Sequence, residues 1–391
     1  MRILVAQPWP YYQRTGGGSK SHRLVVDQLV RAGHECHVLA SGDFPRGSEP
    51  IADDARIGVA RARFGEVHLW RTSDSATVAD TLRALATHVQ PDRVVIPNDD
   101  NQWTILEAAL EVAPQRVVCI VHTLQQLPFG PQAYRTDRRA TELLAECAGI
   151  ICVSNAARDY LRRSGLNSTT IYPNVYEDMI GLEPSRGGDL AMMVTPCSYK
   201  GIDIFLALAE RFPEINFAGV RGWATTDDDV RRINAAPNVE LLEPDADFTR
   251  LLRRAKVLLM PSLWEETYGY TSVEAMLHGV PVIASDIGGL REAKLGVPYV
   301  LPVNTITRYR ESGVAWRPFA DVPPQDIDPW ATALAQLWYD DAIYAAVARE
   351  SYGAANRFVT NLDSNAIETF LRYLTPATNA EKSTLRRSTH S

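Results

Sequence analysis

Short apolar runs that alternate with amphipathic stretches constrain the fold of this 391-residue chain more than any other feature. Each run has three to five residues and is almost wholly apolar, which is typical of strands covered by helices on both faces. The runs are Ile3–Ala6, Val94–Ile96, Val117–Val121, Ile150–Val153, Ala191–Val194, Ile215–Ala218, Val257–Met260 and Val282–Ala284. Helical patterns separate them, such as Ser21–Ala32, which ends at Gly33. The alternation predicts an α/β protein with doubly wound parallel sheets.

The strand–helix alternation occurs in two series, and a chain of this length predicts two domains. We place the break at Tyr172-Pro173-Asn174-Val175, because a proline holds its predecessor in an extended conformation. Residues 1–174 are expected to form the first domain, completed by a C-terminal helix at about 357–375, and residues 175–356 the second. Residues 376–391 are polar and aperiodic, which predicts a disordered tail.

Charge and cysteine content exclude several classes of protein. The net charge of −7 gives no basic surface for nucleic acid or an anionic membrane, so neither partner is expected. No apolar run is long enough to span a bilayer. The five cysteines form no C-x-x-C pair, which disfavours a structural zinc site and a disulfide framework. Together these features predict a cytoplasmic protein.

A glycine triplet lies between the first predicted strand and the first predicted helix, in the segment Thr15-Gly16-Gly17-Gly18-Ser19. Such a turn lets the backbone approach a phosphate at the start of a helix. Two named motifs do not fit, because G-x-G-x-x-G lacks its third glycine and a P-loop requires glycine before Lys20, where the chain has serine. The triplet alone is equally consistent with a flexible turn and with a phosphate site.

The segment 257–292 carries the clearest functional signal. It predicts a strand, a loop and a helix in the order Val257–Met260, Pro261–Gly269 and Tyr270–His278. Ligands of open parallel sheets bind at the carboxyl ends of strands, where this loop lies. Glu266 is in the loop, and Glu274 in the helix suits the vicinal hydroxyls of a ribose. The amides of Tyr270 and Thr271 offer an anion site. Two isolated glutamates would more often be solvated surface residues.

The same segment resembles the signature of glycosyltransferase family 4, the group 1 glycosyltransferases with the GT-B fold. The matching residues are Pro261-Ser262, Glu266, Tyr268-Gly269, Glu274, Ala275-Met276, Gly279, Pro281-Val282 and Gly288-Gly289. Further similarities occur at Gly16-Gly17, Gly33-His34, Val153-Ser154 and Pro173-Asn174-Val175, so the resemblance extends over most of the chain. It implies two Rossmann-like domains facing a cleft, the first binding the acceptor and the second the nucleotide-sugar donor.

The resemblance implies that a sugar is transferred from a nucleoside-diphosphate donor, a UDP- or GDP-sugar, with retention of configuration. The donor-binding residues would be Gly16, Gly17, Gly18, Lys200, Glu266, Tyr270, Thr271 and Glu274. Glu274 would hold the ribose, Glu266 would face the sugar hydroxyls and Lys200 would neutralise the leaving diphosphate. The glycines would let the backbone lie against the phosphates.

One position departs from the family pattern. The family usually has arginine five residues before the lysine, and Thr195 occupies that position before Lys200. Arg221, Arg14 or Lys20 would have to substitute for it, or the phosphate clamp is weaker. The departure leaves open a sugar-nucleotide-binding protein without activity. A sugar-nucleotide epimerase and a phosphorylase on the same fold are further alternatives, whereas the failed glycine motif disfavours a dinucleotide oxidoreductase.

His122 follows the predicted strand Val117–Val121, and an isolated histidine at a strand end is more often structural. Its family position implies instead that it orients groups near the transferred sugar. The catalytic set is therefore predicted to be His122, Glu266 and Lys200. We favour front-face substitution, in which the acceptor proton passes to the departing phosphate, over a covalent intermediate on Glu266.

Aromatic side chains after the strands of the first domain are candidates for the acceptor site, and they suit sugar rings or a flat apolar group. They are Trp9, Tyr11, Tyr12 and Phe129. Each is about as likely to belong to the core. Because no basic amphipathic helix is evident, we expect a soluble small-molecule acceptor, such as an antibiotic or another secondary metabolite.

Two acidic clusters do not predict a metal site. Asp227-Asp228-Asp229 follows Thr226 and resembles the start of a helix, where acidic residues are favoured. Asp99-Asp100 follows a strand and is a candidate for lining the cleft. We predict no metal and no cofactor beyond the nucleotide-sugar co-substrate.

Overall fold

The computed structural model describes residues 1–12, 16–53, 57–100, 102–184, 187–245, 247–313 and 318–374. They form two compact units. Of these residues, those in 1–12, 17–174 and 363–374 belong to the first unit, and Gly16 with those in 175–362 belongs to the second. The predicted tail at 376–391 lies outside the described residues.

The first unit is built on a mixed sheet of nine strands within the described residues, in the order β3-β4-β5-β2-β1-β6-β7-β8-β9. Its elements up to residue 170 are β1 (Arg2–Gln7), α1 (Gly17–Arg31), β2 (Glu35–Ser41), β3 (Glu49–Ile51), β4 (Ala60–Phe64), β5 (Val67–Thr72), α2 (Val78–Val89), β6 (Arg93–Pro97), α3 (Thr104–Val112), β7 (Val117–Val121), α4 (Arg138–Glu146), β8 (Gly149–Cys152), α5 (Asn155–Arg163) and β9 (Thr169–Thr170). The strands from β5 to β9 in this order are parallel, as predicted.

An antiparallel edge distinguishes this sheet from the purely parallel arrangement expected. The β3–β4 and β4–β5 pairs are antiparallel. In β4 only Ala62 is buried, between the half-buried Arg61 and Arg63, so this edge strand is only partly covered. Strands of this kind contain no continuous apolar run, so their sequence does not predict a buried strand.

The second unit contains a parallel sheet with the order β12-β11-β10-β13-β14-β15 among its described residues. Its elements are β10 (Leu190–Val194), α6 (Ile202–Arg211), β11 (Asn216–Val220), α7 (Asp227–Ala235), β12 (Val239–Leu242), α8 (Phe248–Leu252), β13 (Ala255–Met260), α9 (Tyr270–Leu277), β14 (Val282–Ser285), α10 (Gly288–Ala293), β15 (Val300–Leu301), β16 (Tyr309–Arg310), β17 (Phe319–Ala320), α11 (Asp328–Tyr339) and α12 (Asp341–Thr360). The strand order reverses direction between β10 and β13, which makes their carboxyl ends a topological switch point.

Helix ends differ from the sequence predictions in two places. Helix α1 begins at Gly17, not at Ser21, so Gly17 and Gly18 lie in its first turn, where backbone amides have no intrahelical partner. The helix expected at about 357–375 is interrupted: α12 ends at Thr360, and α13 (Ala366–Tyr373) follows in the first unit. The intervening Asn361-Leu362-Asp363-Ser364-Asn365 is rich in residues whose side chains compete with the helical backbone.

The side chain of Lys294 is fully buried in the second unit. Its Nζ donates to the carbonyl oxygen of Val282 at 2.5 Å, and burial lowers the pKa of Lys294 to about 7.

Within the described part of the chain, no helix combines the length and apolar character needed to cross a bilayer.

Candidate active site

The loops that follow β10 and β13 lie against each other at the switch point of the second unit. The amide of Leu263 donates to the carbonyl oxygen of Tyr199 at 2.8 Å. Gly201 has a φ of 80°, and a Cβ there would overlap the carbonyl oxygen of Pro261. A glycine after Lys200 is therefore required for the two loops to approach so closely.

The carboxylate of Glu266 receives three hydrogen bonds in these loops, and all three end on the same oxygen. Oε1 accepts from Lys200 Nζ at 2.5 Å, from Ser262 Oγ at 2.5 Å and from Trp264 Nε1 at 3.2 Å. Glu266 is only 8% exposed, so these bonds operate where water competes little. The structure thus joins Lys200 and Glu266, which the sequence predicted to act in the same site.

The glycine pair of the family signature supports the backbone of Glu266. The amide of Gly289 donates to the carbonyl oxygen of Glu266 at 2.7 Å. A Cβ on Gly288 would stand 2.5 Å from that same oxygen, and one on Gly289 would stand 2.7 Å from Tyr268 Cα. Both positions exclude larger residues, so the close packing at the start of α10 fixes the position of the loop that carries Glu266.

A cluster of aromatic rings lies beside the ion pair between Lys200 and Glu266. The Tyr199 and Trp264 rings stack with centroids 5.2 Å apart and an interplanar angle of 17°. Trp223 packs on Trp264 at 5.8 Å. The ammonium of Lys200 lies 4.9 Å from the centroid of Trp264, within the range of a cation–π interaction. Trp264 therefore contacts both members of the ion pair.

Glu274 lies in α9 beside a group of tyrosines. Glu274 is 6% exposed. Burial raises the pKa of Tyr176 well above its usual range, and the neighbouring Tyr268, Glu274 and Tyr270 raise it further. Tyr270 and Thr271 begin α9 after Gly269, and no side chain caps this helix start. That arrangement suits an anion at the N-terminus of the helix.

Thr195, where the family usually has arginine, has an unusual backbone conformation. Its φ is 56°, a left-handed value that is costly for a β-branched residue. A Cβ on Gly222 would overlap the Thr195 side chain, which is 7% exposed. Of the proposed substitutes for arginine, Arg221 pairs with Glu243 at 3.4 Å, Lys20 belongs to the first unit, and Arg14 lies outside the described residues.

His122 lies at the end of β7 in the first unit and is held by its backbone. Its amide donates to Asn98 Oδ1 at 2.8 Å, and neither ring nitrogen has a partner among the described residues. The ring packs edge to face on His22 at 5.7 Å. Burial, reinforced by His22, holds the pKa of His122 well below its usual range, so the ring is neutral.

A short chain of hydrogen bonds fixes the tautomer of His22. Gln7 Nε2 donates to the carbonyl oxygens of Trp9 and Pro10 at 3.1 and 3.2 Å. The Oε1 of Gln7 is therefore an acceptor, and it lies 2.9 Å from His22 Nδ1. His22 accordingly carries its proton on Nδ1, and burial lowers its pKa to about 4. Two neutral imidazoles thus adjoin at this end of the sheet.

The first turn of α1 lies against His122 and Asp99. A Cβ on Gly18 would stand 3.2 Å from His122 Cβ and 3.8 Å from Asp99 Oδ2. Burial raises the pKa of Asp99 to about 6. Asp100 has a different task, because its carboxylate accepts from the amide of Ile105 at 2.6 Å at the start of α3. The glycine triplet thus contributes a helix start, not a free turn.

The four candidate acceptor contacts differ in exposure. Tyr12 is 48% exposed, and Trp9 is half-buried. Tyr11 is buried near Asp27, and Phe129 stacks on Tyr160 within the core of the first unit. Most of the surface of the last two rings is therefore used in packing, and contact with an acceptor stays a prediction for all four residues.

The predicted start of a helix at the acidic triplet is confirmed. Thr226 Oγ1 accepts from the amide of Asp229 at 3.1 Å, while Asp229 Oδ2 accepts from the amide of Thr226 at 2.9 Å. These reciprocal bonds form a capping box at α7. The acidic residues are thus accounted for by the helix.

A separate group of metal-ligating side chains, Glu35, His37 and His68, lies on β2 and β5. His37 Nδ1 lies 3.2 Å from the indole donor of Trp70, and its Nε2 lies 2.9 Å from Glu35 Oε1. Because an indole only donates, Nδ1 is the acceptor and Nε2 carries the proton. Both ring nitrogens of His37 are therefore engaged within the protein.

Sequence reasoning did not assign roles to Ser262, Trp264 or Tyr176. Ser262 was part of the matched signature, and Trp264 lies two residues before Glu266, but neither spacing predicts which atom points at the carboxylate. Tyr176 directly follows Pro173-Asn174-Val175, a segment that predicts a domain boundary and resembles the family but does not point to Tyr176 itself. Contacts across a folded loop provide the missing information.

Two family models match the two halves of the chain. The one described as "Glycosyltransferase Family 4" matches residues 15–176, and the one described as "Glycosyl transferases group 1" matches residues 191–340. Among similar proteins is a phosphatidyl-myo-inositol mannosyltransferase of Mycolicibacterium smegmatis. It is 26% identical over 375 residues, which cover 88% of this chain and 86% of that protein.

Solved structures give the same fold. Sucrose-phosphate synthase of Thermosynechococcus elongatus has a TM-score of 0.70 at 17% identity, covering 96% of this chain and 98% of its own. Anabaena HepE, solved in complex with UDP-glucose, has a TM-score of 0.67 at 17% identity, covering 95% of this chain and 98% of its own. The predicted α/β class and GT-B fold are confirmed. The chain belongs to the group 1 glycosyltransferases of glycosyltransferase family 4 and is a glycosyltransferase enzyme.

Proposed function

We propose that the second unit binds a nucleoside-diphosphate sugar and that the enzyme transfers its sugar, with retention, to an acceptor hydroxyl. The observation that carries this proposal is the Lys200–Glu266 pair, partly buried at the switch point with its carboxylate oriented by Ser262 and Trp264. A cation and an oriented acceptor side by side suit a substrate that carries phosphate next to sugar hydroxyls. The complex of Anabaena HepE with UDP-glucose supports a donor of this class.

Each residue has a proposed task in this reaction. Lys200 neutralises the charge that grows on the leaving diphosphate, and Glu266 accepts a hydrogen bond from a sugar hydroxyl. Glu274 accepts hydrogen bonds from the ribose, and the start of α9 at Tyr270 and Thr271 provides amides for phosphate. Sequence similarity assigns the backbone of Gly16, Gly17 and Gly18 to the phosphates in the same way.

A front-face substitution follows from the same assignments. The diphosphate departs, an oxocarbenium-like centre forms, and the acceptor hydroxyl attacks from the side that the phosphate left. The departing phosphate oxygen takes the acceptor proton, so no side chain has to act as a base. His122, whose ring is neutral, offers one donor and one acceptor for orientation near the transferred sugar. Glu266 stays a carboxylate ligand and forms no covalent bond.

Two acceptor classes are proposed. A soluble small molecule is the first, and the exposed ring of Tyr12 is a candidate contact for it. A phospholipid-linked polyol is the second, favoured by the likeness to a phosphatidyl-myo-inositol mannosyltransferase over most of both chains. Adding anionic vesicles that contain phosphatidylinositol to the assay distinguishes the two, because only the second acceptor class requires them.

The proposal is tested by product analysis with a panel of UDP-, GDP- and dTDP-sugars and pooled acceptors. We expect one donor to release its nucleoside diphosphate, with the sugar recovered on an acceptor in the same anomeric configuration by NMR. Lys200→Ala should abolish release, whereas substitution of the exposed Arg250→Ala should not. Donor binding without transfer or hydrolysis would favour the non-catalytic alternative suggested by Thr195. Conversion of the donor into an epimeric sugar nucleotide, without any acceptor, would favour an epimerase.

A further inference from the structure

On the proposed donor site, we infer that Ser262 and Trp264 are positioning residues that hold the Glu266 carboxylate when Lys200 turns to the donor diphosphate. The inference starts from the three hydrogen bonds on Oε1. It concerns residues that do not themselves contact the donor. It rests on the proposed function and explains how one lysine and one glutamate act on different parts of a single substrate.

Lys200 has competing partners in this arrangement. Its ammonium bonds to Glu266 and lies over the face of Trp264, and its three protons allow it to contact a phosphate as well. A diphosphate carries more charge than one carboxylate and draws the ammonium toward itself. The contribution of Lys200 to the orientation of Glu266 then weakens as the substrate binds.

Ser262 and Trp264 keep Glu266 oriented under that condition. Both are neutral donors, buried at 2% and 5% exposure, so a diphosphate attracts them much less strongly than it attracts the charged ammonium of Lys200. Their hydrogen bonds end on Oε1, so the carboxylate cannot rotate freely about its last bond. Among the described residues, none donates to Oε2, which leaves that oxygen for a sugar hydroxyl.

The direction of the Trp264 N–H is itself set by packing. Tyr199 and Trp223 contact its ring at centroid distances of 5.2 and 5.8 Å, and the ring is nearly parallel to that of Tyr199. An indole held in this way presents its N–H at a fixed position, at little further cost in side-chain entropy. Positioning and packing are therefore separate properties of Trp264 that mutation can separate.

The test compares variants that remove the hydrogen bonds with variants that keep them. Ser262→Ala and Trp264→Phe each remove one donor while retaining a small or an aromatic side chain, and the double variant removes both. Ser262→Thr restores the hydroxyl, and Trp338→Phe is the matched control, because it removes an indole that lies over Lys256 in the same unit and contacts neither Glu266 nor Trp264. For each variant, calorimetry measures binding of the nucleoside diphosphate and, separately, of the complete nucleoside-diphosphate sugar. Product release gives kcat and KM.

We expect the double variant to bind the nucleoside diphosphate with a dissociation constant within twofold of the wild-type value. It should lose the additional affinity that the wild type has for the nucleoside-diphosphate sugar. Its kcat/KM should fall about 10- to 100-fold, the range for hydrogen bonds to a charged group. Ser262→Thr should recover most of the loss relative to Ser262→Ala, and Trp338→Phe should change little. Thermal unfolding monitors the folding of every variant.

Two results would overturn the inference, and they differ from failure of the proposed function. A double variant that binds the sugar nucleotide as tightly as the wild type would show that Oε1 needs no such support. If the double variant lost the same factor of affinity for the nucleoside diphosphate and for the nucleoside-diphosphate sugar, both residues would be assigned to packing alone. A folded wild type that binds no nucleoside diphosphate would instead refute the proposed donor site and the inference together.

Discussion

Gly289→Ala should disable the donor site by moving the loop that carries Glu266. A Cβ at this position would overlap the carbonyl oxygen of Thr267 and stand 2.7 Å from Tyr268 Cα, whereas ordinary contacts are 3.4–4 Å, so the loop or α10 must retreat by at least about 0.7 Å. The amide of Gly289 also donates to the carbonyl oxygen of Glu266, so any displacement is passed directly to that residue.

The expected magnitudes follow from that overlap. Inserting a methyl group into closely packed backbone costs about 1–3 kcal/mol of unfolding free energy. A misplacement of about 1 Å at a reacting group lowers kcat/KM by about 100-fold. Urea unfolding and product release measure the two effects in the same preparation.

The control is Gly353→Ala, a glycine inside α12 whose added Cβ would meet only the flexible end of Arg357, at 3.2 Å. Removing a glycine from a helix interior should raise the unfolding free energy by about 0.5–1 kcal/mol and leave transfer unchanged. A Gly289→Ala enzyme with wild-type stability and activity would refute the reasoning about this loop.

Three further predictions concern folding stability. Lys294→Met should raise the unfolding free energy at pH 6 by about 1–4 kcal/mol, because it removes a buried charge, and urea titrations should show the gain shrinking as pH rises from about 7 toward 10.5. A variant less stable at both ends of that range would contradict the burial argument. Asp99→Asn should remove a fall in wild-type folding stability between pH 4 and pH 6. The pKa of Asp99 is raised to about 6 in the folded protein, so the carboxyl ionises at lower pH in the unfolded chain, and the unfolding free energy of the wild type falls by about 2–3 kcal/mol over that range. Equal slopes in the two proteins would place the titration elsewhere. Thr226→Ala should lower the unfolding free energy by about 1 kcal/mol through loss of the capping box, whereas a change near zero would show that α7 begins independently of it.

The sequence predicts the buried parallel strands well, because full burial on both faces demands a continuous apolar run. Val117–Val121 has the same bounds in both descriptions, and Val257–Met260 is extended by two residues at its start. The antiparallel edge at Ala60–Phe64 could not be found by the same criterion, since only Ala62 is buried there and two arginines interrupt any apolar run.

The proximity of Lys200 and Glu266 was predictable from the sequence, whereas the contacts that hold them in place were not. Lys200 and Glu266 were expected to act together, and the structure brings them together. Their geometry depends on Ser262 and Trp264, whose orientation arises from stacking on Tyr199 and from the close approach of two loops. Residue spacing along one segment contains no information about such contacts between segments.

The central claim is that the second unit holds a nucleoside-diphosphate sugar through Glu274, and binding of a nucleotide panel tests it most directly. Thermal shift and calorimetry are applied to the wild type, to Glu274→Ala and to Glu210→Ala, an exposed glutamate of the same unit. At 100 times its dissociation constant a ligand stabilises the fold by about 2.7 kcal/mol, which is readily measured. We predict that nucleotides of one base bind to the wild type and to Glu210→Ala and that Glu274→Ala weakens them about 100-fold, as the loss of hydrogen bonds from a ribose to a carboxylate requires. Undiminished binding by Glu274→Ala, or no binding of any nucleotide by the wild type, would contradict the account.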